Sequence, residues 1–194
     1  SLSNEELFAY GLSAVNMRDL ALARDANALL NERCLKEPGN HPLKITQLEL
    51  ESSILFAAGQ IQGSLGKIDQ AVNLSLAHPP IDPLPDPIKP ALELKGEMLL
   101  RAGRAEQARE TFQEALKQTP HRPWSVLGLA RSHATAGQLE EASIYYQELL
   151  HSWTDARLLG VSEAKTHLSI YGGSTGDGGD SGARDGYDSN GTSN

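Results

Sequence analysis

Cysteine is almost absent from this 194-residue chain, and Cys34 alone can close neither an intramolecular disulfide nor a multi-cysteine zinc site. It sits inside an amphipathic pattern with only Arg33 and Lys36 nearby to favour a thiolate, so it reads as a small apolar packing residue. Aromatic residues make up only 5% of the chain, too few for a sheet built on Tyr, Phe and Trp. No apolar run reaches the roughly 18 residues that a membrane-spanning helix needs. The 17 Lys and Arg residues never form a run and the formal net charge is -8, which argues against sequence-independent binding to nucleic-acid phosphates.

Recognisable reaction chemistry is missing as well. The chain has no GxSxG, no GxxxxGK and no GxGxxG, and the glycines near its end have no following helix with which to cradle a phosphate. The six histidines, at 41, 78, 121, 133, 151 and 167, are scattered without an HxxxH or HExxH pairing. Acidic pairs such as Glu5/Glu6 and Glu140/Glu141 fall where first helical turns are expected, and there the helix dipole favours negative charge without any catalytic role. The expectation is therefore a protein that is not an enzyme and needs no metal or other cofactor.

Ala and Leu, by contrast, are abundant, which suits helices packed through small side chains and predicts an all-α protein. Within residues 90–153 the pattern repeats at a spacing of 34: Gly103 maps onto Gly137, Ala108 onto Ala142 and Phe112 onto Tyr146. Each copy reads as helix, glycine-containing turn, helix. The small residue permits two antiparallel helices to approach, the aromatic one turn later fills the wider gap, and the glycine accepts a left-handed turn conformation.

These residues resemble the tetratricopeptide repeat (TPR) family. The first copy has Gly96, Leu99, Ala108, Phe112, Ala115 and Pro120 at family positions, with Lys95 where Leu is usual. The second has Val126, Leu129, Ala130, Ala142 and Tyr146, with Leu149 replacing Ala and no closing proline. The resemblance implies an all-α, right-handed solenoid of antiparallel helix pairs with a C-terminal capping helix and a disordered tail. The layout is also similar to the C-terminal part of larger, mostly bacterial TPR proteins, and the start at Ser1-Leu2-Ser3 without a Met fits a fragment or a processed product.

Five segments follow. Residues 1–77 form degenerate TPR-like helical pairs. The first pair carries Leu7, Phe8, Gly11, Leu12 and Val15, then Leu22, Ala23, Ala26 and Leu30, with Asp19 as N-cap and Asn27 where an aromatic should stand. The second runs through Ile45, Leu48, Leu50, Ile54, Leu55 and Ala58 to a turn marked by Gly63 and Gly66, then Ile68, Ala71, Val72, Leu74 and Leu76. The key alanines would thus be 23, 71, 108 and 142, at irregular intervals of 48, 37 and 34. Residues 78–90, with six prolines in thirteen, form a stiff extended connection. Residues 91–153 hold the two clear units and 154–171 a capping helix starting near Ala156. Residues 172–194, rich in Gly, Ser and Asp, have almost no apolar side chain to bury and should be disordered.

The function implied by the resemblance is a non-catalytic scaffold for a protein or peptide partner. Family contact positions fall on Glu93, Glu97, Leu100 and Arg101 in one unit and on Trp124, Leu127, Arg131 and Thr135 in the next. Repeats that grip a peptide's terminal carboxylate place Lys and Asn where this chain has Glu93, Glu97, Leu127 and Arg131, so a mixed or basic peptide fits better. A secreted or extracellular-matrix structural protein is the alternative, suggested by the acidic Gly/Ser-rich tail and the triplets Asn73-Leu74-Ser75 and Asn190-Gly191-Thr192. The sequence assigns no cellular compartment.

Overall fold

A computed structural model describes residues 2–79, 89–155 and 157–172. Residues 80–88 of the Pro-rich connection, residues 173–194 of the tail and Asn190 with its triplet lie outside the described residues. Within them the chain is all-α, with nine helices: α1 (Asn4–Asn16), α2 (Leu20–Lys36), α3 (His41–Ala57), α4 (Ile61–Ala77), α5 (Ala91–Arg101), α6 (Ala105–Gln118), α7 (Pro123–Thr135), α8 (Leu139–Ser152) and α9 (Leu159–Tyr171). None of the described helices is long and apolar enough to cross a membrane.

Local chemistry fixes several helix starts. Ser3 and Glu6 form a reciprocal capping box: Glu6 N–H donates to Ser3 Oγ at 3.1 Å and Ser3 N–H donates to Glu6 Oε2 at 2.7 Å. Asp19 caps α2 by accepting from the Leu22 N–H at 3.0 Å, as the sequence predicts, and Asn40 does the same for α3 through Leu43. The helix predicted from near Ala156 begins at Leu159, with Leu158 at its N-cap.

Consecutive helices pack as pairs, α1 with α2, α3 with α4, α5 with α6 and α7 with α8, and α9 lies on α8. Every pair turns through one residue of positive φ: Arg18 (62°), Gly59 (78°), Gly103 (75°) and Gly137 (77°). This corrects the expected second turn. Gly63 and Gly66 lie inside α4, and Gly59 makes the turn.

Alignment on these turns moves the register of the second unit. Five residues beyond each turn stand Ala23, Ser64, Ala108 and Ala142, all 0% exposed. Ser64, and not Ala71, is the crossing residue; Ala71 is equivalent to Ala115. Seven residues before each turn stand Gly11, Ser52, Gly96 and Ala130. In the second unit the crossing is thus two buried serines, Ser52 Oγ lying 2.8 Å from the Ser64 carbonyl oxygen, to which it donates, and 3.1 Å from Ser64 Oγ. The hydroxyls satisfy each other at a contact that alanine and glycine make elsewhere.

Phe112 shows how tightly the two clear units interlock. It is fully buried, and a Cβ built at Gly96 or Gly128 would approach its ring to 2.6 Å and 2.4 Å. Burying a phenylalanine side chain contributes about 1.5–3 kcal/mol, and two glycines on neighbouring helices make the room. Lys95, unusual for its position, pairs with Asp69 of the preceding unit at 2.8 Å and so becomes an inter-unit contact.

A candidate protein-interaction face

The first helix of each pair touches the first helix of the next, α1 to α3, α3 to α5 and α5 to α7. The second helices are each separated by an intervening first helix. A curved stack follows, with α1, α3, α5 and α7 on its inner side. In the turn register, inner positions ten residues before the turn are Phe8, Glu49, Glu93 and Leu127; six before it come Leu12, Ser53, Glu97 and Arg131. The expected contact residues of α5 and α7 therefore share this face with equivalents on α3.

The structure sorts those residues by accessibility. Glu93 and Leu127 are each 1% exposed and act as supports below the surface. Glu93 Oε1 accepts from Arg122 Nε at 2.8 Å and from Ser125 Oγ at 2.7 Å, tying α5 to the start of α7; Glu93 Oε2 is buried without a partner. Glu97 is paired with Lys89. The Arg101 guanidinium lies 4.7 Å from the centre of the Phe56 ring and bridges α5 to α3. Leu100 is half-buried and Thr135 exposed.

Trp124 is 46% exposed, packs edge-on against Trp153 at 4.7 Å, and has the Lys89 ammonium 5.7 Å from its ring centre. Arg131 grips Glu163 of α9 in a fork, with Nε 3.0 Å from Oε1 and NH2 2.7 Å from Oε2. Tyr146 of α8 donates its hydroxyl to the same carboxylate at 2.6 Å. Burial acts to raise Glu163, but the hydrogen bonds from Arg131 and Tyr146 outweigh it and hold the carboxyl below its ordinary range. The Tyr146 phenol is pushed up, first by burial and then by its bond to Glu163.

Sequence reasoning missed three participants. Glu49 is 3% exposed, and no hydrogen bond or ion pair from the described residues reaches its carboxyl. Burial pushes that carboxyl well above its ordinary range, opposed by the charge of Lys89. Aligning α3 on Gly59 would have placed it beside Glu93. Lys89 and Glu163 lie outside the repeat core, and no periodicity marks them. Other features fall off this face. A cleft of about 490 Å³ between α4 and α6, lined by Gly66, Asp69, Lys95 and Gln107, carries mixed charge. Cys34 is half-buried against the first pair, and burial pushes its thiol up, as suits a packing residue. Asn73 is exposed on α4.

Comparison with known proteins agrees with this geometry. Residues 99–159 match the tetratricopeptide repeat family. The crystal structure of a tetratricopeptide repeat protein from Parabacteroides merdae ATCC 43184 is similar at 19% identity and a TM-score of 0.57, over 88% of this chain and 60% of that one. The chain thus spans about three fifths of that protein's length. No curated protein matches the chain. Residues 99–159 thus resemble tetratricopeptide repeats, and the fold of the described residues is a helical solenoid like that of the similar structure.

Proposed function

We propose that this chain is a non-catalytic scaffold whose inner face, formed by α3, α5 and α7, receives a protein or peptide partner. The observation that carries the reading is Trp124. Its large ring stays half-exposed on the inner side, braced by Trp153 and flanked by the Lys89–Glu97 pair, with the Arg131–Glu163 pair two turns further along α7. An aromatic anchor with a polar surround is what an interaction surface uses. Glu97, Arg101 and Arg131 supply polar contacts around it, with Glu93 and Leu127 holding the helices that carry them. The carboxylates Glu93, Glu97 and Glu163 already serve ion pairs, which suits positioning better than proton transfer.

A photo-crosslinking amino acid placed at Glu97, and separately at Gln113 on the outer helix α6, tests the reading in extracts of the natural host. A discrete protein adduct from position 97 and none from position 113 is expected. Adducts formed through position 113 alone would place recognition on the other side of the stack.

A further inference from the structure

The acidic end of the inner face carries more carboxylate than the chain's own side chains engage. Glu49 and Glu93 hold equivalent positions on adjacent helices, and Glu97 lies one turn beyond Glu93. Glu93 Oε2 is buried and unpartnered, and the Glu49 carboxyl has no hydrogen bond from the described residues. The buried Glu93 oxygen without a partner gives this site unused acceptor capacity.

Lys89 sits over this site. It is not part of α5 but comes just before Pro90, so its side chain enters from the connecting segment. Its ammonium pairs with Glu97, lies near the Trp124 ring, and its charge acts on Glu49. A carboxylate on one side and an aromatic face on the other is the arrangement in which a partner's lysine or arginine would bind.

Resting on the inner face as the binding surface, we propose that Glu97 and Trp124, backed from beneath by Glu93 and Glu49, form a subsite for a cationic side chain of a basic peptide, which Lys89 fills as an internal competitor when no partner is present. A partner's lysine or arginine replaces one cation by another, so the charge of the subsite is unchanged while Lys89 moves out to water. Removing Lys89 opens the subsite and leaves Glu97 without its cation, while Glu93 keeps Arg122.

The test titrates the full chain with hexalysine, with hexaglutamate as control, following tryptophan fluorescence. Lys89→Ala should bind hexalysine about tenfold more tightly than the unaltered chain, and hexaglutamate no better. Adding Glu97→Gln should remove the gain, whereas Glu140→Gln/Glu141→Gln on the exposed start of α8 should leave it intact. Should Lys89→Ala fold poorly by circular dichroism, Lys89→Met keeps the stem and drops the charge. Unchanged affinity in the Lys89 variants overturns the proposal. So does equal weakening by the α8 pair, which would trace binding to the overall charge of -8. A specific adduct at position 97 together with either result would leave the scaffold reading standing and remove only the cation subsite.

Discussion

Phe112 dictates the size of its neighbours, so two glycines in the same kind of helical setting have opposite consequences. Gly128 faces the ring at a distance no Cβ tolerates, while nothing lies within 4 Å of a Cβ placed at Gly66. Gly128→Ala should destabilise the fold by about 1–3 kcal/mol through overpacking. Gly66→Ala, at an exposed position in α4, should stabilise it by about 0.5–1 kcal/mol because alanine favours helix. Urea denaturation midpoints of the two variants check the signs. Glu49 makes a further prediction. Its folded carboxyl keeps a proton to higher pH than the unfolded one, so the native state binds more protons in that interval. Stability from this residue is therefore complete below the ordinary carboxylate range and is lost as pH rises above it. Glu49→Gln should flatten that decline, with its largest relative gain near pH ~8 and little near pH ~4, read from thermal unfolding across the range.

At the scale of elements, α9 is held by one carboxylate that serves two helices. Glu163 takes a forked pair from Arg131 of α7 and a hydrogen bond from Tyr146 of α8, so its loss strands a buried phenol as well as freeing the cap. Glu163→Ala should speed amide exchange in α9 by about tenfold or more, while α1 and α2 keep their protection because each pair contacts only its neighbours. Loss of α1 protection together with α9 would show a more global cooperativity than a stack of pairs allows. The elements themselves were unevenly legible. Gly103, Ala108 and Phe112 announce their pair, since only small side chains suit a close crossing and only a large one fills the gap beside it. In the second pair serines stand at that crossing, and Ser52 and Ser64 look like surface residues until their mutual hydrogen bond is seen. Ala71 and the glycines of α4 then drew the register and the turn to the wrong place.

For the whole molecule, the stack brings residues from α3, α5, α7 and α9 onto one side, and this is the level the sequence conveys least. Helical spacing puts Glu93, Glu97 and Arg101 on one face of their helix and Leu127, Arg131 and Thr135 on one face of the next, and only the family resemblance joined these, with Trp124, into one contact surface. The burial of Glu93 depends on Arg122, 29 residues away, and the pairing of Arg131 depends on Glu163 in the cap. Neither distance follows a repeat period. Lys89 is likewise invisible to periodicity, because a segment outside the helices carries it to the face. Hydrogen–deuterium exchange of the full chain, with and without the partner captured through position 97, tests inner-face recognition most directly. Slowed exchange centred on α3, α5 and α7, with α4, α6 and α8 unchanged, is the predicted result. Slowing confined to α4, α6 and α8 would contradict it.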